Sequence, residues 1–251
     1  MLKDIELEKI VDIAKEAGDA IMEIYNKNFG IEYKDDKSPL TEADLKANEI
    51  ICRALLELHP NIPIMSEENK QTDYEVRKNW EYYWCIDPID GTKEFIKKND
   101  EFTVNIALIH KDTPVLGVVY APAIKEMYKA KKGEGAFKNN QKLPLKTNDN
   151  PEEKLSVVAS KSHLSDETQE FINSLDTKQI EQVSKGSSLK LCMVAVGIAD
   201  IYPRLAPTME WDTAAADAIV RESGKMTCQF ENDKPMIYNK IDLLNPWFVV
   251  Q

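Results

Sequence analysis

The sequence predicts a protein of mixed α and β class with layered sheets, and three observations support this prediction. Several segments carry apolar residues at the spacing of an amphipathic helix. Short apolar runs of strand length lie between those segments, and the two kinds of element alternate without internal repeats. A chain of 251 residues is long enough for one large domain or two closely packed ones.

The first half of the chain predicts two helices followed by strands. Residues 4–25 place apolar side chains at every third or fourth position, and residues 41–58 predict a second helix that ends before Pro60. Residues 26–39 are polar and irregular. Strands are expected at residues 62–65, 82–86, 102–109, 115–120 and 127–145. The strand 82–86 is expected to end at Asp87-Pro88, because proline has no N–H to donate to a ladder.

The second half predicts a smaller set of alternating elements. A polar stretch at residues 148–154, which contains Pro151, predicts a boundary between an N-terminal domain (1–150) and a C-terminal domain (151–251). Strands are expected at 155–159, 180–183 and 201–202, and helices at 166–175, 189–198 and 213–223.

Composition excludes several classes of function. The net charge of -11 argues against general nucleic-acid binding, but a local cation or lysine cluster can still create a site for a small anion. Only three histidines are present, which argues against a histidine-rich zinc site or a Ser-His-Asp triad. The four cysteines are far apart, which favours reduced thiols in a cytosolic protein. We see neither a secretory signal nor an apolar run of membrane-spanning length.

The most informative motif is Asp87-Pro-Ile-Asp90-Gly-Thr92, which follows a hydrophobic strand. Its two carboxylates and the Ile89 carbonyl can face one point, which is the all-oxygen environment that magnesium prefers. The N–H groups of Gly91 and Thr92 can point at a phosphate. A simpler alternative for an isolated motif of this kind is an Asx-turn with Thr92 as a helix N-cap.

Three further acidic sites also lie at the ends of predicted elements. Glu67-Glu68 follows a strand, Asp212 begins a helix, and Thr41 with Asp44 has the spacing of a capping box. Taken singly, these are explained as a solvated turn, an N-cap and a capping box. Together they indicate a site, because functional groups concentrate where elements end.

In order and context, Glu67-Glu68, the motif 87–92 and Trp211-Asp212-Thr213 resemble the signature of the inositol monophosphatase superfamily. That superfamily includes inositol monophosphatases, fructose-1,6-bisphosphatases and bisphosphate nucleotidases. The resemblance covers nearly the whole chain and implies a layered αβαβα sandwich of this type.

Within the superfamily, Lys93-Glu94-Phe95 and the segment 186–190 are similar to the nucleotidase branch. Segments 160–163 and 200–204 are similar to the small bacterial nucleotidases. Two departures, at residues 209–210 and 223–225, touch no expected ligand.

The resemblance implies two magnesium ions and leaves a third open. Glu67, Asp87 and the Ile89 carbonyl would hold one ion, while Asp87, Asp90 and Asp212 would hold the second. The implied catalytic residues are Asp44, Glu67, Glu68 and Thr92. Glu68 and Thr92 would orient and help to deprotonate the attacking water, and Asp44 would act through Thr92 or a bound water.

The reaction implied is hydrolysis of adenosine 3',5'-bisphosphate to AMP and phosphate by magnesium-activated water, in sulfur metabolism and with sensitivity to lithium. 3'-Phosphoadenylyl sulfate is a second expected substrate. The implied substrate-binding residues are Glu67, Ile89, Asp90, Gly91, Thr92, His163, Ser187, Lys190, Arg204 and Asp212.

Alternatives remain open on several points. An inositol or sugar phosphatase on the same scaffold is the nearest rival, and a non-catalytic nucleotide or metal sensor is a rival of another class. The chain is expected to act in the cytoplasm as a monomer or a homodimer on a small nucleotide, without stable insertion into a membrane. Peripheral association with the inner membrane stays open.

Overall fold

The computed structural model describes residues 1–27, 30–33, 39–159 and 165–251, with seven α-helices and fourteen strands in those ranges. The helices are α1 (Leu7–Tyr25), α2 (Glu42–Leu58), α3 (Tyr74–Arg77), α4 (Thr92–Ile96), α5 (Asp166–Asn173), α6 (Leu189–Val196) and α7 (Glu210–Glu222). The first nine strands are β1 (Ile31–Tyr33), β2 (Pro39–Thr41), β3 (Ile64–Ser66), β4 (Tyr82–Asp90), β5 (Thr103–His110), β6 (Thr113–Ala121), β7 (Glu126–Lys131), β8 (Gly135–Lys138) and β9 (Gln141–Lys142). The others are β10 (Leu155–Val158), β11 (Ile180–Val183), β12 (Tyr202–Arg204), β13 (Thr227–Gln229) and β14 (Phe248–Val250).

A seven-stranded sheet in the order β3-β4-β5-β6-β7-β8-β9 organises the molecule. Only β3 and β4 are parallel, and the remaining pairs are antiparallel. Alternate residues of a strand point to opposite faces. Trp84 and Ile86 therefore belong to the apolar cluster with α1 and α2, whereas Tyr83 and Cys85 belong to the cluster with α6 and α7.

Smaller sheets extend the layers in the second half of the chain. Strands β10 and β11 are parallel, and β12, β14 and β13 form an antiparallel sheet. An isolated bridge between Val157 and Ile201 links these two sheets. Both residues belong to one apolar cluster, which also contains Ile172 of α5. The predicted class, mixed α and β in layers of helices and sheets, is confirmed.

Most predicted elements are present, and the capping box at Thr41 is confirmed: its Oγ1 accepts from Ala43, and Asp44 accepts from the Thr41 N–H. Strands β5 and β6, expected at residues 102–109 and 115–120, are also present and pair as an antiparallel hairpin. The structure adds β1, β2, β13, β14 and α3, which are too short for a periodic pattern to identify. The predicted division at residue 150 stays a prediction, although α6 and α7 pack on the sheet of the first half.

One expected strand end and two alternative capping explanations were wrong. Strand β4 does not end at Asp87-Pro88 but continues to Asp90, because an irregularity in its pairing with β5 accommodates Pro88. Gly91, at a φ of 93°, is the N-cap of α4, so Thr92 is the first helical residue. Helix α7 begins at Glu210, so Asp212 lies in its first turn and is not its N-cap.

The four cysteines are unpaired: Cys85 and Cys192 are buried, and Cys52 and Cys228 are partly exposed. In the described ranges, no helix combines the length and the apolar character that crossing a bilayer requires.

Gly117 of β6 is required for the close packing of the sheet against α7. A Cβ atom at this position would lie 2.1 Å from the main-chain oxygen of Ala215 in α7. We expect Gly117→Ala to lower the free energy of unfolding by about 3 kcal/mol, because α7 must move away from the sheet. Urea denaturation measures this change. Gly30→Ala is the matched control, since a Cβ there meets no atom within 4 Å. Equal stability of the two variants would contradict the prediction.

Candidate active site

One cleft brings together most of the residues that the sequence singles out. It has a volume of about 420 Å³ and lies where β4 leads into α4 and where α6 and α7 begin. The predicted site residues that line it are Glu67, Asp87, Ile89, Asp90, Gly91, Thr92, Ser187, Lys190, Arg204 and Asp212. Asp44 and Glu68 lie outside this lining, and His163 lies outside the described residues.

Three carboxylates converge in the cleft. Ligand atoms of Glu67, Asp87 and Asp212 all lie within 4.8 Å of one another. Parallel pairing of β3 and β4 accounts for two of them: Glu67 follows β3 and its N–H donates to the Ile86 carbonyl of β4, 3.1 Å away. Asp212 comes from the first turn of α7, where its Oδ2 accepts from the Met209 N–H at 2.8 Å.

Burial and mutual repulsion alter the acidity of this cluster. Burial, with the charges of Glu67 and Asp90, raises the pKa of Asp87 well above its ordinary value. Burial and the Asp90 charge raise the pKa of Asp212 to about 8. Carboxylates crowded in this way favour a bound cation that neutralises them. Because every donor is an oxygen, the cluster fits a hard divalent ion such as Mg²⁺.

Asp90 has different partners from the other three acids. Its Oδ2 accepts from the Ser188 N–H at 2.5 Å and from the Ser188 hydroxyl at 2.6 Å. Asn105 Nδ2 is 3.5 Å from the same oxygen. Asp90 therefore lies beside the three-carboxylate cluster, and its role as a ligand stays a prediction.

Ser188 and Asn105 are functional candidates that the sequence reasoning missed. Both are buried, and Asn105 Nδ2 donates to Ser188 Oγ at 2.8 Å. A signal was available, since Thr103 and Asn105 are polar residues within the otherwise apolar strand β5. Buried polar side chains in a strand need partners, and here the partner is a site residue.

Thr92 and Asp44 connect α2 to the cleft. Asp44 Oδ2 accepts from Thr41, while its Oδ1 accepts from the Thr92 hydroxyl at 3.2 Å. The Ile89 carbonyl lies 3.3 Å from the same hydroxyl and is a second acceptor for it. The capping geometry of Asp44 and a role through Thr92 are therefore compatible, because they use different oxygens.

The nearby segment 184–188 is held against the loop that precedes β5. Glu101 Oε2 accepts from the Gly186 N–H at 2.9 Å, and Lys185 Nζ lies 3.4 Å from Glu101 Oε1. A Cβ on Gly186 would lie 2.6 Å from the Glu101 carbonyl oxygen, so only glycine fits there. Ser187 adopts a φ of 49°, in the left-handed region that residues other than glycine seldom occupy.

Of the cationic side chains that line the cleft, Lys190 and Arg204 are the two that the sequence singles out. Burial and the charge of Arg204 lower the pKa of Lys190, whereas Asp90, Glu94 and Glu101 act in the opposite direction. Arg204 Nη2 donates to the Pro207 carbonyl at 2.9 Å. Its Nε is buried without a hydrogen-bond partner among the described residues. Two adjacent cations, one with an unused donor, are typical of an anion site.

The chain is similar to known proteins over nearly its whole length. Residues 5–246 match the inositol monophosphatase family. The chain is 44% identical over 246 residues to the 3'(2'),5'-bisphosphate nucleotidase CysQ of Salmonella typhimurium, covering 97% of this chain and 98% of that protein. It is 42% identical over 247 residues to the Escherichia coli K12 protein of the same name, with the same coverage.

The fold is also similar to those of solved structures. The crystal structure of CysQ from Bacteroides thetaiotaomicron superposes with a TM-score of 0.88 at 44% identity, covering 98% of this chain and 96% of that one. An IMPase from Thermotoga maritima superposes with a TM-score of 0.78 at 26% identity, covering 96% of this chain and 89% of that one.

Asp212→Asn is expected to stabilise the metal-free protein and to reduce its stabilisation by Mg²⁺. The substitution removes one charge from the cluster but keeps an oxygen that can accept from Met209. An acid whose pKa rises on folding from 3.8 to about 8 binds its proton more tightly in the folded state. Ionisation of Asp212 therefore destabilises the metal-free folded protein increasingly as the pH rises from 3.8 to about 8. The increase in the free energy of unfolding caused by Asp212→Asn should accordingly be larger at pH ~8 than at pH ~5.

Urea denaturation of chelator-treated protein at both pH values, followed by melting with added Mg²⁺, tests this expectation. Asp242→Asn is the control, because Asp242 also accepts a main-chain hydrogen bond, from Leu244, but is exposed and outside the cleft. A destabilised metal-free Asp212→Asn protein, or an unchanged response to Mg²⁺, would contradict the prediction.

Proposed function

The chain belongs to the inositol monophosphatase family, and from that premise we propose that it is a phosphatase that hydrolyses the 3'-phosphate of adenosine 3',5'-bisphosphate, giving AMP and phosphate. The observation that carries the proposal is the presence in one cleft of a carboxylate cluster and a separate pair of cations, Lys190 and Arg204. A nucleotide with two phosphates needs both. 3'-Phosphoadenylyl sulfate, which shares the 3'-phosphate, is proposed as a second substrate.

Two magnesium ions are part of the proposal. Glu67, Asp87 and the Ile89 carbonyl would hold one, and Asp87, Asp90 and Asp212 would hold the other. Magnesium would supply activation of water and neutralisation of the charge on phosphoryl oxygens. The fit is supported by the all-oxygen donor set and by the raised pKa values of Asp87 and Asp212.

Thr92 and Asp44 are proposed to handle the proton of the attacking water. The Thr92 hydroxyl donates to Asp44, so the lone pairs of its oxygen can accept a hydrogen bond from water. Water would attack phosphorus as the bond to the ribose oxygen breaks. The water proton would pass through Thr92 toward Asp44, and the leaving ribose oxygen would take a proton from solvent. The predicted assistance of Glu68 stays part of this proposal.

The N–H groups of Gly91 and Thr92 are proposed to bind the phosphoryl group that is cleaved. Both residues line the cleft next to the carboxylates, and α4 begins there. The 5'-phosphate would be bound by Ser187, Lys190 and Arg204. His163 is also proposed to contact the substrate, and it lies outside the described ranges.

The nearest alternative is an inositol monophosphatase on the same scaffold. A substrate with one phosphate brings no second anionic group for Lys190 and Arg204 to bind. The relatives that are 42–44% identical are named as nucleotidases, which also favours the bisphosphate substrate.

Phosphate release from adenosine 3',5'-bisphosphate, inositol 1-phosphate and fructose 1,6-bisphosphate tests the proposed function. We expect the nucleotide to have the highest kcat/KM. A higher kcat/KM for inositol 1-phosphate would replace the nucleotidase proposal with a general phosphatase.

Lys190→Ala is expected to raise KM for adenosine 3',5'-bisphosphate by roughly ten- to a hundredfold, because a charge-assisted hydrogen bond to phosphate contributes about 1.5–3 kcal/mol. The weak activity on inositol 1-phosphate should hardly change. Lys178→Ala controls for the change in net charge, since Lys178 is an exposed lysine outside the cleft. Equal losses on both substrates would remove Lys190 from the 5'-phosphate site.

Lithium is expected to inhibit the enzyme at millimolar concentrations. Li⁺ is a small hard cation that suits the same oxygen ligands as Mg²⁺, and the position beside Asp90 and Asp212 is proposed to bind the second ion less tightly. Initial rates are measured with matched sodium chloride as the control for ionic strength. Equal inhibition by the two salts would count against this proposal.

A further inference from the structure

Ser188 joins acidic residues from opposite sides of the cleft. Its hydroxyl oxygen lies 2.6 Å from Asp90 Oδ2, at the end of β4, and 2.6 Å from the main-chain oxygen of Asp212, in α7. Its N–H donates to the same Asp90 oxygen at 2.5 Å. Ser188 thus contacts both acids that are proposed to share the second cation.

The hydroxyl is itself held in place from the central sheet. Asn105 Nδ2 donates to Ser188 Oγ at 2.8 Å, and Asn105 Oδ1 accepts from the Thr103 hydroxyl at 3.0 Å. Thr103 and Asn105 are fully buried in β5, and Ser188 is 1% exposed. A satisfied polar network in a buried environment has few alternative arrangements, so the position of the Ser188 hydroxyl is tightly defined.

The hydrogen bonds of the Ser188 hydroxyl are sensitive to the charge on its neighbours. The Ser188 hydroxyl carries one hydrogen, but two acceptors lie 2.6 Å away. A hydrogen bond to an ionised carboxylate is stronger than one to a neutral carbonyl, so Asp90 receives the hydrogen while its charge is uncompensated. A cation at Asp90 weakens that preference, and the hydrogen can then rotate to the Asp212 carbonyl. The serine can therefore hold both acids in place with and without a cation.

We propose that Ser188 is a positioning residue that holds Asp90 and Asp212 at the separation required for cation binding. This inference rests on the proposed function only in requiring that cations bind at these carboxylates. It goes beyond the residues assigned above, because Ser188 acts on the ligands and not on the substrate. Without the hydroxyl, Asp90 keeps only the Ser188 N–H and loses its link to the main chain of Asp212, so repulsion from the anchored Asp212 moves the Asp90 carboxylate away.

The experiment titrates Mg²⁺ alone into metal-free wild-type protein and Ser188→Ala and follows thermal unfolding, with each protein compared with its own metal-free melting temperature. We expect the half-saturating Mg²⁺ concentration to rise by about tenfold in Ser188→Ala, as for loss of one charge-assisted hydrogen bond. At saturating Mg²⁺, KM for adenosine 3',5'-bisphosphate should be unchanged. Because the melting measurement contains no substrate, its result is independent of which phosphate ester the enzyme hydrolyses.

Ser223→Ala is the matched control, since Ser223 is a buried serine that donates to the Val220 carbonyl far along α7 from the cleft. It should leave the half-saturating Mg²⁺ concentration unchanged. Ser188→Cys is the second variant: its sulfur is larger than the hydroxyl oxygen and donates only weakly, so it should show the same rise if Ser188→Ala does not fold. An unchanged Mg²⁺ response in whichever Ser188 variants fold, or an equal rise in Ser223→Ala, overturns the proposal.

Discussion

The repulsion among Glu67, Asp87 and Asp212 is the constraint on which the arrangement of the cleft depends. Three carboxylates with ligand atoms within 4.8 Å oppose folding unless rigid elements hold them together. The protein uses three different elements for this purpose: the end of β3, the buried strand β4 and the first turn of α7. Each carboxylate is attached to a backbone that is fixed by packing elsewhere. The packing of the core therefore offsets the repulsion between the carboxylates.

The start of α7 shows how strongly one ligand is anchored. Glu210 is fully buried and accepts from the N–H groups of Asn239 and Lys240 at 2.7 and 3.0 Å, as well as from Lys240 Nζ at 2.5 Å. Asn245 Nδ2 donates to the Met209 carbonyl at 2.7 Å. These contacts hold the two residues before Trp211, so the start of α7, and with it Asp212, has little freedom to withdraw from Asp87. The buried charge of Glu210 is paired and hydrogen-bonded, as burial requires.

Charge is distributed unevenly between the surface and the cleft. The chain carries a net charge of -11, yet the cleft contains Lys190 and Arg204 close to its carboxylates. A local pair of cations outweighs distant charges, because exposed charges more than about 8–10 Å away are largely screened at physiological salt. An overall acidic protein can therefore still offer a site for an anion, provided that its cations are partly buried, as these are.

The sequence by itself determined the features that depend on neighbours along the chain. The amphipathic pattern of α1 and the capping box of Thr41 with Asp44 are local, since every interaction in them spans a few residues. The motifs at Glu67, Asp87 and Asp212, through their resemblance to a known family, also predicted the family and most of the residues that line the cleft. Only the tertiary structure decided how far β4 continues past Pro88, where α7 begins, and that Ser188 and Asn105 hold Asp90. Those features depend on partners 13 to 98 residues away, and spacing along one segment carries no information about which distant atoms will pack against it.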